Sequence, residues 1–388
     1  MKGFVKNEGY KEAKQLLDGV GVLQPKSEYD NAFMPELGEK ERCAILLFGL
    51  PRSFKDMVLP SLKKNLLAPN ARYNCDYFVH YYYRTEEPEG RANSGGKLDP
   101  NEILQLEKAV KDIAAATTTK AHNHTPTVSF HSDTEEDFWS YRNDTIQKYR
   151  NTKAEDGNYL YFPWEAKSYY YPSSLDNIVR QWHSISSAWE MMEQSAAKRG
   201  VRYTRVGMFR SDVMYVTPSD IYQTDRESYD RTSSKAMLAP FGAMPVNDRM
   251  FYGPHDAVEI WATKRFEFLE NYVQKEEARG WAMHSEKFLA GAIMPAVRDL
   301  GIDIVVNPDI CFLRTRADYS AVTTDCQLMG TTRDFEDKDM KAVVESIVER
   351  RCSDPYKVTA AHISVQCEPD ADSIKSKRLR RRRKHRRV

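Results

Sequence analysis

Two rhythms of apolar and polar residues run along the chain. Cys43–Gly49 (CAILLFG) and Cys75–Tyr82 (CDYFVHYY) are continuous apolar runs of strand length, the pattern of strands covered on both faces. Between them Met57, Leu59, Leu62, Leu66 and Leu67 recur at helical spacing, and Pro60 is expected to kink or shorten that helix. Strand, glycine turn, helix and second strand predict a parallel βαβ crossover. Asp99-Pro100-Asn101-Glu102 predicts a helix start, with Asp as cap, Pro at the first position and Glu closing a capping box. Ile103, Leu106, Val110 and Ile113 mark the buried face of that helix, and a short strand, Thr127–Phe130, follows.

The clearest helix begins near Ser174, with Ile178, Trp182, Ile185, Trp189 and Met192 on one stripe and Gly200 as its C-cap. It feeds YTRVGMFRSDVMY, Tyr203 to Tyr215, where Val206, Met208, Val213 and Met214 suit a buried strand. Further strands are expected at Ala236–Ala239, Met250–Tyr252, Ile302–Val306 and Cys311–Leu313. Helices are expected from Asp256 to Val273 and from His284 onward, with Ser285 as a possible cap, and a last amphipathic helix carries Met340, Val343, Val344 and Ile347. The implied class is α/β with a mostly parallel central sheet. Residues 1–40 read as an N-terminal extension, 41–320 as the α/β domain, 131–172 as a tyrosine-rich insertion over the sheet edge, and 321–388 as a C-terminal helix and tail. In the insertion Tyr159, Tyr161, Trp164 and Tyr169 to Tyr171 suit a hydrophobic cover or a stacking wall for a sugar or base.

Charge adds one feature. The formal net charge of +1 over 388 residues hides a basic terminus, KSKRLRRRRKHRRV, on a mildly acidic body. Such a block repels itself and suits anionic lipid, nucleic acid or an import receptor. The start of the chain lacks the apolar core of a signal peptide, so the protein is cytosolic or the chain begins downstream of a targeting segment. The six cysteines are scattered without zinc spacing. Cys43 and Cys75 open two strands and read as buried small residues rather than as disulfide partners, whereas Cys326, Cys352 and Cys367 suit pairing in an oxidising compartment.

Four clusters fall where α/β units hold ligands. Gly49-Leu-Pro-Arg52-Ser53 joins a strand to a helix; the glycine allows a tight turn, the free helix N–H groups favour an anion, and Arg52 offers a fork for phosphate. The GK[ST] element of a Walker A loop is missing. Arg210-Ser211-Asp212 ends the central strand, where a cation and a carboxylate are costly to bury without partners. Asn247-Asp248-Arg249 precedes an aromatic strand, and His284-Ser285-Glu286 opens a helix. Each is equally compatible with an ordinary turn, ion pair or cap. His80 reads as a strand histidine with a satisfied hydrogen bond rather than a metal ligand.

Taken in order, the strand ending Gly-x-x-Arg-Ser-Phe, CDYFVHYY, SLDNIVRQWHSISSAWEMM, Phe-Arg-Ser-Asp, NDRMFYGP and HSEKFL resemble an uncharacterised family of glycosyltransferase-like proteins, similar to GT-A nucleotide-sugar transferases. The resemblance spans Arg42 to Asp318. It implies a Rossmann-like α/β/α sandwich with a nucleotide-sugar donor at the C-terminal edge of the sheet and a glycan or other hydroxyl compound as acceptor. It places Arg52, with Gly49 and Ser53, beside the diphosphate, and turns Asn177 and Gln181 toward the donor. Asp212 takes the place of the last Asp of an Asp-x-Asp motif, which would hold Mn²⁺ or Mg²⁺, but Arg210 replaces the first. One carboxylate is a thin anchor for such a cation, and Arg210 suits direct neutralisation of the diphosphate. Glu286 matches the helix-start acid that acts as base, with Asp248 as its competitor. A sulfotransferase with a phosphosulfate loop at Gly49, and a non-catalytic scaffold on a degenerate transferase fold, are the alternatives.

Overall fold

The computed structural model describes residues 38–89, 95–117, 124–162, 172–223, 235–239, 246–307, 310 and 312–321, and the backbone of 20–22, 322, 357–359 and 362–364. Its strands are β1 (Val20–Val22), β2 (Glu41–Gly49), β3 (Asp76–Tyr82), β4 (Val128–Asp133), β5 (Arg202–Arg210), β6 (Val213–Tyr215), β7 (Lys235–Leu238), β8 (Met250–Pro254), β9 (Asp303–Val306), β10 (Phe312–Thr315), β11 (Ser320–Val322), β12 (Lys357–Thr359) and β13 (His362–Ser364); Glu86–Glu87 also pairs with Gly96–Lys97. The central sheet has the order β1-β9-β7-β8-β5-β2-β3-β4. Every neighbouring pair is parallel except those made by β8. The mostly parallel α/β sheet is therefore as expected. The parallel pairing of β2 with β3 confirms the crossover between them.

Alternation along β2 sets the layers. Ala44, Leu46 and Phe48 face a core shared with helices α3 (Glu135–Asn151), α4 (Ser173–Arg199), α5 (His255–Thr263), α6 (Arg265–Tyr272) and α7 (285–299). Cys43, Ile45 and Leu47 face a second core, lined by helix α1 (54–73), helix α2 (Gln105–Ala116) and a smaller sheet. That second sheet, β12-β13-β11-β10-β6, is antiparallel throughout.

Several expectations are corrected. Tyr203 to Tyr215 is two strands: Ser211 and Asp212 carry the chain from β5 in the central sheet to β6 in the second. Cys43 and Cys75 form a disulfide with a Cα–Cα separation of 4.6 Å; the register Ala44↔Asp76 sets the two cysteines opposite one another at the origins of adjacent parallel strands. Asp99 caps by accepting from the Asn101 N–H, but Glu102 does not close the box, because its Oε2 accepts from the Lys55 N–H instead. His284, not Ser285, is the cap of α7, its side chain accepting from the Lys287 N–H. The helix expected over 256–273 is two helices, broken at Lys264. Pro60 does not end α1. Wide π turns stand directly before Pro60, Pro69 and Pro295, accommodating prolines that lack an N–H and crowd the preceding turn.

Helix α3, within the stretch read as an insertion, went unread because it buries only Phe138, Ile146 and Tyr149. Its start is a full capping box between Thr134 and Asp137. Tyr161 is buried and stacks on Tyr149. Strands β1, β12 and β13 lie in segments read as an extension and a tail. The helix expected over 340–347, Trp164, Tyr169 to Tyr171, Cys326, Cys352, Cys367 and the polybasic terminus lie outside the described residues. Among the described residues no helix is long and apolar enough to cross a membrane.

Candidate functional site

The sheet order reverses at β2: β3 and β4 build outward on one side, β5 and β8 on the other. The crevice beyond the strand ends at such a point is where α/β sheets hold ligands. Gly49 ends β2 with φ of 110°, and Ser53 begins α1 at φ of 47°, so the turn between them needs two left-handed residues. The Gly49 N–H donates to Ser184 Oγ on α4 at 2.9 Å. At the helix start one of the N–H donors is already taken, since Glu102 accepts from the Lys55 N–H at 3.1 Å.

The turn aims Arg52 across the crevice. Its Nη1 donates to Asp212 Oδ2 at 2.5 Å, and its Nε and Nη2 embrace Glu87 at 2.7 and 2.5 Å. From the end of β5, Arg210 Nε and Nη2 donate to Asp212 Oδ1 and Oδ2, both at 2.8 Å. Asp212 is fully buried. Burial alone would raise its pKa, but Arg210 and Arg52 hold it well below the usual carboxylate range. Both of its oxygens are thus engaged by guanidinium groups, and it does not fit a divalent cation, which wants several oxygen ligands. Asp212 belongs to no group of three or more possible ligands: among the described residues such groups are His80, His131 and Asp133, and His255, Asp256 and Glu259.

The second sheet supplies residues that sequence reading missed. Thr315 Oγ1 donates to the carbonyls of Arg52 and Asp212, and Ser53 Oγ donates to the Arg316 carbonyl at 2.7 Å. Arg316 thereby joins the group; burial, then Arg314 and Arg52, lower its pKa to about 9. The signal was Arg314-Thr-Arg316, two cations at alternate positions just past Leu313, where the expected strand had stopped.

A second cluster adjoins the first, since β8 pairs with β5 in the register Met250↔Phe209 and so sets Arg249 beside Arg210 at the rim. Arg249 Nη1 donates to Asp248 Oδ1 at 2.6 Å and to Glu286 Oε1 at 2.9 Å, from the start of α7. The two buried carboxylates titrate in opposite directions. Against the effect of burial, Arg249 and Arg210 keep Asp248 ionised. Burial and the neighbouring Asp248 push Glu286 up to about 7. His284, 3.4 Å from Glu286, is lowered to about 4 by burial and nearby Lys287, and is neutral at physiological pH. Gln181 Nε2 donates to the Asp248 carbonyl at 2.9 Å. Asn177, one turn earlier on α4, is exposed and has no hydrogen bond to the cluster.

Arg52, Ser53, Arg210 and Asp212 thus form one linked group, Gln181, Asp248 and Glu286 another, and Arg210 acts on the acids of both. His80 lies apart: Nδ1 meets Ser184 Oγ at 2.8 Å and Nε2 meets Asp133 at 3.0 Å, a carboxylate that also takes His183 at 2.7 Å. Both ring nitrogens have a hydrogen-bond partner, and with His131 and Asp133 the ring belongs to a group that could hold a metal ion.

No family model matches the chain, and no curated protein matches it. Among solved structures, mouse xyloside xylosyltransferase 1 in its apo form is similar at a TM-score of 0.31 and 10% identity, over 69% of this chain and 84% of that one. A likeness of this strength bears no functional weight, and the α/β assignment rests on the strand order and layers described above.

Proposed function

We propose that the chain is a glycosyltransferase that uses a nucleotide-sugar donor and neutralises its diphosphate with arginines rather than a metal. The supporting observation is the convergence at the crevice of Arg52, Arg210 and Arg316 on a fully buried carboxylate, Asp212, beside a carboxylate pair whose pKa values are split. Sugar transfer builds negative charge on a departing nucleoside diphosphate, which preorganised cations stabilise at a buried site. The acceptor hydroxyl must lose a proton, and a general base works best with a pKa near the operating pH. Glu286, raised to about 7, has that property. Asp248, held ionised, keeps Arg249 in place and raises Glu286.

A sulfotransferase fits less well. Its phosphosulfate loop would use the first helix start, where Glu102 already fills the Lys55 N–H.

The test is a panel of nucleotide sugars and phosphoadenosine phosphosulfate, scored by ligand-induced stabilisation with Mn²⁺ and with EDTA. A nucleotide sugar should stabilise the protein equally in both. Glu286→Gln should lower donor hydrolysis or transfer by about 10²–10⁴-fold with donor affinity kept. Binding that needs Mn²⁺, or full activity in Glu286→Gln, would overturn the respective assignment.

A further inference from the structure

Arg265 opens α6 and is 1% exposed. Its guanidinium carbon lies 4.0 Å from the ring centroid of Trp261, which itself packs on Phe48 and Phe251. None of its three guanidinium nitrogens has a hydrogen-bond partner. Buried donors in native proteins are almost always paired, and an exception calls for an explanation. Every other arginine described at the rim donates to a carboxylate or lies among like charges around Asp212. Arg265 does neither. The charge that acts on it is Asp248, without a hydrogen bond between them, whereas Arg316 feels Arg314, Arg52, Asp212 and Arg210. Arg265 is therefore a positive centre separate from the group assigned to the diphosphate, and next to the acids assigned to the reacting hydroxyl.

We propose that Arg265 is the recognition point for a carboxylate on the sugar being transferred or on the acceptor, so that the substrate is a uronic acid on one side of the reaction. This rests on the transferase reading above. A guanidinium held over an aromatic ring keeps its planar fork of donors, which pairs with two carboxylate oxygens. A site with buried donors also rejects a substrate that lacks the matching acceptor, because those donors then stay unpaired.

The experiment measures calorimetric affinities of the full chain in two arms. The donor arm sets UDP-glucose against UDP-glucuronate and GDP-mannose against GDP-mannuronate. The acceptor arm sets methyl glucoside against methyl glucuronide, with UDP or GDP present. In one arm the uronate should bind at least about tenfold more tightly than its neutral counterpart. Arg265→Gln should abolish that preference and leave the neutral compound unaffected. Arg265→Lys, which keeps the charge without the fork, should retain only part of it. The wild-type protein alone can refute the proposal, whether or not the variants fold: equal affinity for uronate and neutral sugar in both arms overturns it. If nucleotide sugars bind without such a preference, the transferase reading survives and the Arg265 assignment fails. If no nucleotide sugar binds but methyl glucuronide does, and only when Arg265 is present, the subsite stands and the transferase reading fails.

Discussion

At the edge where β2, β3 and β5 begin, Asp76 accepts from the Tyr203 hydroxyl, Arg199, the Thr127 N–H and the Thr127 hydroxyl. Asp220 accepts there from Arg72, the Tyr73 hydroxyl and the Tyr222 N–H. The Cys43–Cys75 bond ties the same edge covalently. At the opposite edge, Arg265 has no acceptor at all and Arg316 has a buried Nε without one. At the first rim the buried carboxylates are matched by the chain's own donors, although Arg42 Nε and Arg205 Nη2 lack a partner there; at the second it is a whole buried guanidinium, that of Arg265, that has none. Buried polar groups left unmatched weaken a fold unless something else pairs with them. Under the proposed function, the contrast separates carboxylates matched for stability from a guanidinium left for a ligand.

Three measurements put this contrast at risk. Arg52→Met strips a partner from both buried Asp212 and Glu87, and should cost about 3–5 kcal/mol in urea denaturation, together with more than about tenfold in donor affinity. A loss of stability with donor affinity intact would make Arg52 a structural residue like those at the other edge. Cys43→Ala with Cys75→Ala should cost about 2–4 kcal/mol and leave donor affinity unchanged; a fall in affinity would mean that the two edges are not independent. The third effect is a pH dependence. With Glu286 as base, transfer should rise as pH rises through about 7, and the rise should vanish in Glu286→Gln. Its effect on stability has the opposite sign. A carboxyl raised in the folded state contributes stability that is full below its unfolded pKa and is lost as pH climbs through about 7. Wild-type stability relative to Glu286→Gln should therefore fall between pH 5 and pH 8 in denaturant titrations.

The centre of the sheet was legible because β2, β3 and most of β5 are buried and read as apolar runs, and α4 because a single stripe of Ile178, Trp182, Ile185 and Trp189 repeats over a long helix. Helix α3 was not, since a surface helix with three buried side chains has almost no apolar period; only its Thr134 start signals it. The disulfide needed the pairing register, which sequence spacing does not contain. The same holds for the site. Arg52, Arg210, Asp212, Asp248 and Glu286 stand beside glycine turns and strand ends, where local pattern draws attention. Glu87, Arg265 and Arg316 sit in a two-residue strand, at the first residue of a helix and past a strand end, and only tertiary structure brings them near the others.

Thr315 fastens the carbonyls of Arg52 and Asp212 from a strand that does not belong to the central sheet. A shortened version of the protein ending at Asn307 would keep every central strand and most of both cores, yet Arg52 and Asp212 would lose the clasp on their carbonyls. The boundary of the Rossmann-like unit and the boundary of the segment that holds the crevice together are thus different places in the chain, and any attempt to transplant the crevice onto another scaffold has to carry residues 312–316 with it.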